Sequence, residues 1–399
     1  MPKDMSAVVI KGNLNGLGVV RSLGRGGVTS HVVDTSLLAP AMWSRHAKPC
    51  VAPVLHGRKL LDVLLALRGS INHQPMLFNC DEMSVLAISE HRSQLEGAFR
   101  FRLPEHETVV TLQDKAKFHE FARALGLSVP NGRLVRRASD IDDLRTFRYP
   151  LVAKPADKRF VHRGNAPGVM VFASFGEASA GCARMLGQAG DILVQEWVEG
   201  ANDQIYFCLF YRGRGAATVS MFTGRKLLSS PPNIGMTAYC AAAPEAREAL
   251  EPMTEAFCDA VGYEGMGSVE YKWDSGARRF VIIEPTVGRT DWQEEIATLC
   301  GANIPLDAYR HELELPLLAR APAARNVIWR SSCLELLKVG APKLPAAAKL
   351  HDGYWRRDDP MPAIVQYSLG AAASALRQSR RTFKLLWDRR RKDEAFSKG

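Results

Sequence analysis

Apolar and polar positions recur along this chain with two different periods, and the switches between them mark out its elements. Short apolar runs at Ala7–Ile10, Thr29–Val33 and Met76–Asn79 read as strands, and Gly18–Leu23, Lys59–Leu67 and Val85–Glu90 read as the beginnings or bodies of helices. That alternation predicts a small doubly wound sheet over roughly residues 5–105. Farther on, Asp114 is placed to cap a helix whose Phe118, Phe121 and Leu125 share one face. The helix stops at Gly126, with Val129-Pro130 as an extended exit. An apolar strand Leu151–Pro155, a polar basic loop Asp157–Gly168, a strand Gly168–Phe172, a helix and the run Ile192–Gly200 follow.

The most informative pattern lies beyond residue 265. Ser268–Lys272 and Phe280–Pro285 read as two strands of a hairpin around Asp274-Ser275-Gly276, each projecting one glutamate, Glu270 and Glu284. A carboxylate set among β-branched and aromatic residues is costly to bury unless a cation compensates it. Mg²⁺ suits such a pair, because it takes a few carboxylate oxygens and leaves its remaining positions to water and phosphate. A solvated face of an antiparallel pair is the plainer alternative. Lys154, at the end of its apolar strand, likewise calls for an anion.

Composition narrows the classes. With 399 residues and 46% hydrophobic content the chain can build two or three domains. Its eight cysteines are scattered without Cys-x-x-Cys or zinc spacing, which fits reduced thiols in a cytoplasmic protein. No signal peptide is expected, and no apolar run is long enough to span a bilayer. Most of the net charge of +10 falls in residues 321–399, which hold 16 Lys and Arg against 7 Asp and Glu. No RNA-binding aromatic motif or finger spacing accompanies these cations, so nucleic acid is not an expected partner. In Gly16-Leu17-Gly18-Val19-Val20-Arg21 an arginine takes the third glycine position of a dinucleotide fingerprint, and a structural turn is the better account.

The ordered features resemble the ATP-grasp superfamily. They are Asp114-Lys115 before a helix ending in Gly126-Leu127-Ser128-Val129-Pro130, then Tyr149 to Pro155, a loop, Val194-Gln195-Glu196-Trp197-Val198-Glu199-Gly200, and paired acidic strands closing on Ile283 to Arg289. The resemblance spans about residues 5–312, and Phe222 to Leu227 with Gly301 to Pro305 are most similar to carboxylate–amine ligases of the D-aspartate ligase type. It implies an α/β fold: a doubly wound pre-ATP-grasp domain (residues 1–105), a two-lobed ATP-grasp domain (106–315, lid lobe about 150–200) and a basic, partly helical extension (316–399). The implied activity is an ATP-dependent carboxylate–amine ligation through an acyl phosphate, with small-molecule carboxylate and amine substrates. An ATP-binding regulatory protein, or a ligase making a different bond, are the alternatives.

The resemblance also implies roles. Lys115 and Lys154 meet ATP phosphates, Glu196, Trp197 and Val198 the adenine, and Asp203 the ribose. Glu270 and Glu284 hold Mg²⁺ (Mn²⁺ is an alternative), with Thr286 standing where the family has an asparagine ligand. Arg289, one residue later than the family's arginine, is the candidate for the substrate carboxylate and oxyanion, and Gln293 and Glu294 could help or be ordinary helix residues. Lys226, with Arg225, points at the triphosphate or acyl phosphate after a short strand Ala217–Phe222, or forms a plain surface pair. Lys117 is expected on a solvated helix face. Lys158, Arg159 and Arg163 of the loop could grip the γ-phosphate, while His162 is a loop residue. Residues 362–392 combine Ile364, Leu369, Phe383 and Trp387 with many basic residues. They read equally as a helix on the anionic inner surface of a membrane or as a solvated helix or frayed tail.

Overall fold

Three sheets, taken in chain order, build the protein. The computed structural model describes residues 6–156, 168–215, 217–232, 235–320, 324, 326–331 and 340–370. The first sheet holds β1 (Ser6–Ile10), β2 (Thr29–Asp34), β3 (Ala47–Val51) and β4 (Met76–Asn79), all parallel in the order β3-β2-β1-β4. Ala7 to Ile10 are fully buried, as strands covered on both faces require. The chain leaves β1 toward β2 on one side and reaches β4 on the other, so a crevice opens at the carboxyl ends of β1 and β4. Two helices start there, Leu14–Arg25 capped by Asn13 and Glu82–Glu90 capped by Asp81.

The first of these helices begins four residues before the expected Gly18. Asn13 accepts from the Gly16 amide, so the Gly-Leu-Gly segment is helical instead of a turn. A β-carbon at Gly18 would lie 2.5 Å from Glu294 Oε2, which explains glycine at this close approach. Arg21 is buried and donates to Asp359, Gly353 and Tyr354, so its position serves packing.

The second sheet is antiparallel: β5 (Gly132–Val135), β6 (Leu151–Pro155), β7 (Met170–Phe172) and β8 (Ile192–Glu196), ordered β5-β8-β6-β7. With the Phe175–Ala189 helix it forms its own apolar core around Leu151, Cys182, Met185, Ile192 and Val194. The third and largest sheet comprises β9 (Ile205–Arg212), β10 (Thr218–Ser230), β11 (Met236–Ala242), β12 (Gly265–Asp274), β13 (Arg279–Val287), β14 (Val327–Arg330) and β15 (Lys349–Asp352). Its order is β13-β12-β9-β10-β11-β14-β15, antiparallel except for the last pair. Both of its faces share cores with the first sheet: Val269 and Tyr271 join Val8 and Ile10, while Phe207 and Trp329 join Ala7 and Val9.

Two expectations change. The strand expected at Ala217–Phe222 is the 13-residue β10, which carries Arg225 and Lys226 inside it. The stretch after residue 315, expected as a basic and partly helical extension, also carries β14 and β15, which complete the central sheet, and Trp329 is 1% exposed. Four-residue strands in a proline- and alanine-rich context carry too little period to be read from sequence. A short helix Met361–Val365 follows. The loop cations Lys158, Arg159 and Arg163 with His162, Cys333, and the basic run from Arg377 to Lys392 with Phe383 and Trp387 lie outside the described residues. The seven described cysteines are free. Among the described residues no helix is long and apolar enough to cross a membrane.

Candidate active site

The acidic hairpin forms as its alternation predicted. On β12, Val269 and Tyr271 are fully buried in the core, which turns Glu270 and Lys272 to the other face. Glu270 stands directly opposite Glu284 on β13, and Thr286 opposite Ser268. Thr286 lies two residues beyond Glu284, so both side chains share a face.

Each glutamate meets a lysine from a distant element. Lys226 Nζ is 2.5 Å from Glu270 Oε2, and Lys115 Nζ is 2.5 Å from Glu284 Oε2. Burial alone would depress the Lys226 pKa, but Glu270, Asp291 and Glu284 outweigh it and raise the value. Lys226 is therefore an ammonium held inside the protein, paired across β10 with Cys240 and Ile205 in the strand register. Lys115 opens the Lys115–Ala124 helix, which Asp114 caps by accepting from the Ala116 and Lys117 amides. Lys117 is exposed, as expected of a solvated face.

A crevice between the second and third sheets is lined by Lys115, Phe118, Lys154, Leu193, Gln195 and Glu284. It gathers the two expected phosphate lysines and one carboxylate of the acidic pair. A wider groove lies on the outer side of the same helix and is lined by Arg133, Arg136 and Arg137. Those guanidiniums are matched by Asp143, Glu120, Asp191 and Asp140, and none of the expected site residues lines the groove.

Arg289 reaches this region through a glycine turn. Gly288 has φ +71, and a β-carbon on it would lie 2.6 Å from Leu103 Cδ2 and 2.7 Å from Val85 Cγ1. Its amide donates to the Tyr263 hydroxyl at 2.9 Å. This left-handed residue sets the direction in which the chain carries Arg289 away from β13. The Arg289 guanidinium then lies 3.4 Å from Glu82 and 3.8 Å from Asp291, joining β13 to the helix at the first sheet's crevice.

Asp291 was missed from sequence. It raises the Lys226 pKa, yet Arg289-Thr290-Asp291 has no pattern that marks it. Gln293 and Glu294 turn out to be packed inside: Gln293 accepts from Thr237 at 3.0 Å, and Glu294 accepts from Ser22 at 3.3 Å. Burial, then the neighbouring Glu295, pushes the Glu294 carboxyl up to about 8.

The residues expected at the adenine lie at the end of β8 and just beyond it. Glu196 closes β8, but its carboxylate accepts from Asn131 Nδ2 at 3.0 Å and from the Arg148 amide at 3.1 Å. The Trp197 amide donates to Pro150 O at 3.0 Å. The Trp197 ring faces Lys272, whose Nζ lies 4.7 Å from the centroid, and Val198 is buried. Asp203 is exposed on the turn Asn202–Gln204, which packs beside β10.

Among the described residues no group of three or more His, Cys, Asp or Glu side chains could hold a metal by itself. Two opposed carboxylates and a hydroxyl on one face fit an ion that keeps several waters and shares phosphate oxygens, as Mg²⁺ does.

No family model matches the chain. It is similar to D-alanine–D-alanine ligase B of Pseudomonas putida KT2440, with 24% identity over 220 residues, covering 53% of this chain and 65% of that protein. D-alanine–D-alanine ligase of Pseudomonas putida GB-1 matches at 24% over 222 residues, with the same coverage. The chain thus spans just under two thirds of the length of these relatives. Among solved structures, N5-carboxyaminoimidazole ribonucleotide synthetase from Thermus thermophilus superposes with a TM-score of 0.59 at 21% identity, covering 80% of this chain and 81% of that one. The biotin carboxylase domain of Hydrogenobacter thermophilus 2-oxoglutarate carboxylase, solved with MgADP and bicarbonate, gives 0.60 at 15% identity, covering 78% and 70%. A parallel first sheet, an antiparallel lobe and a large sheet bearing the acidic hairpin, in that order and with these likenesses, show that the chain has the ATP-grasp fold.

Proposed function

We propose that the protein is an ATP-dependent carboxylate–amine ligase. The observation that carries this reading is the opposed Glu270–Glu284 pair, each neutralised by a buried or half-buried lysine beside a crevice that Lys154 also lines. Relatives that join amino acids and structures solved with nucleotide support it. Lys115 and Lys154 would bind the ATP phosphates, and Lys226 would turn between Glu270 and the transferred phosphoryl group. Bound Mg²⁺, held by Glu270, Glu284 and Thr286, would supply neutralisation of the phosphate charge. Arg289, whose Nε has no hydrogen-bond partner, would orient the substrate carboxylate.

A carboxylate oxygen attacks the γ-phosphorus while the bond to ADP breaks, giving an acyl phosphate. The amine then attacks the acyl carbon, phosphate leaves, and the nitrogen loses a proton. Positioning and charge neutralisation do most of this work. We assign the protein to the D-aspartate ligase type, with residues 1–105, 106–315 and 316–399 as its units, and place it in the cytoplasm at the inner face of a membrane that residues 362–392 touch. Phosphate release, screened over carboxylate and amine pairs, tests the reading. Release that needs ATP, Mg²⁺ and both substrates is expected. ATP binding with no release for any pair would point to a regulatory protein instead.

A further inference from the structure

Lys272 is a buried ammonium that the protein leaves without an anion. It is 5% exposed and shares the site face of β12 with Glu270, two residues earlier. In the sheet register its neighbours are Ile205 on β9 and Val281 on β13, both buried and apolar. Among the described residues no carboxylate comes within 4.0 Å of its Nζ, and no acceptor is hydrogen-bonded to it. The contact it does make is with the Trp197 ring, whose centroid lies 4.7 Å away. Gly200, with φ +144, passes close over the stem: a β-carbon there would lie 3.4 Å from Lys272 Cε and 2.9 Å from Trp273 O.

The other lysines of the site differ in this respect. Lys226 is equally buried, yet it has Glu270 at 2.5 Å, and Lys115 has Glu284 at the same distance. A desolvated ammonium without a counter-ion is costly, and an aromatic face compensates it less fully than a carboxylate does. The surroundings fix where the missing anion belongs. Trp197 follows directly on β8, where the base is expected, and Glu270 lies about 7 Å from Lys272 along the strand. A nucleotide with its base at Trp197 and its outer phosphates at the acidic pair carries its first phosphate past Lys272.

We propose that Lys272 is the contact for the α-phosphate of the bound nucleotide. Its ammonium leaves the Trp197 ring and donates to that phosphate, which frees the ring to face the base. The site thereby tells nucleotides from nucleosides without help from the metal. The inference rests on the nucleotide reading given above and adds a residue to it. Lys115, Lys154 and Lys226 stand at the crevice or the acidic pair, whereas Lys272 stands on the base side.

Displacement of ATP from the full chain by adenosine and by AMP, without Mg²⁺, tests it. The native chain should bind AMP about tenfold or more tighter than adenosine. In Lys272→Met, which keeps the bulk of the stem, that preference should fall to about twofold or less. Its melting temperature should not fall, because an unpaired buried charge is removed. Trp197→Leu, which removes the ring and keeps the ammonium, should retain the preference. Comparing two ligands on one protein cancels any general weakening of the site. A preference that survives Lys272→Met, or that Trp197→Leu abolishes, overturns the proposal. So does a native chain that binds AMP no better than adenosine. A native chain that binds no ATP overturns the nucleotide reading itself, which separates that failure from a failure of Lys272 alone.

Discussion

At the acidic hairpin, Glu270 and Glu284 pair with Lys226 and Lys115 while keeping 22% and 32% of their side-chain surface open. At the junction of the first helix with the C-terminal segment, Asp359 is 3% open and accepts from Arg21 Nε, Ser44 Oγ and the Arg45 amide. Arg21 in turn donates to Gly353 O and Tyr354 O, and Arg356 lies 2.7 Å from Glu295. Both clusters use the same residue types. The difference is how far the protein itself satisfies them. A buried carboxylate with several protein donors is part of the fold, and removing it strands its partners. A pair of facing carboxylates left partly open, each held by a long flexible lysine, is a site that can exchange its cations for a ligand.

The largest effect should come from the closed cluster. Asp359→Ala would leave Arg21 and two other donors short of an acceptor, and urea unfolding should show a loss of about 3 kcal/mol. A loss near zero would mean that the C-terminal segment contributes little to the fold. The closed side also predicts a pH dependence. Glu294, with a carboxyl raised to about 8 against an ordinary value of 4.5, keeps its proton at neutral pH only when folded. Its contribution is therefore full below about pH 4.5 and fades as pH rises through about 8. Glu294→Gln should flatten the fall in urea midpoint across that window, and an unchanged slope would assign the fall to other groups. On the open side, Lys154→Ala should weaken ATP binding by about tenfold or more in calorimetry, because it removes a charge-assisted contact. Lys117→Ala, on the exposed face of the same crevice helix, should change it less than about twofold. Equal losses would erase the distinction between lining and solvated lysines.

The sequence made legible what local period controls. Val269 and Tyr271 alternate with Glu270 and Lys272, so the hairpin and the opposed glutamates follow from a period of two. Lys115 was legible through its Asp114 cap. What escaped was set by distance in the chain. Lys226 finds Glu270 across intervening β9, and Asp291 finds Lys226 only once the chain has turned at Gly288. The Asn131 and Arg148 partners of the Glu196 carboxylate come from the chain just before β5 and β6, a meeting at the close of β8 that no motif encodes. The strand Val327–Arg330 was hidden by its four residues, yet Trp329 is almost wholly enclosed.

The central claim is that the open acidic pair works by holding a metal against nucleotide phosphates. It is tested most directly by titrating ATP into the protein calorimetrically, with and without Mg²⁺, for the native chain and for Glu284→Gln. Mg²⁺ should tighten ATP binding to the native chain, and the substitution should abolish that gain while the protein keeps its melting temperature. If Glu284→Gln binds ATP with the same Mg²⁺ dependence as the native chain, the pair is not a metal site and the account is contradicted.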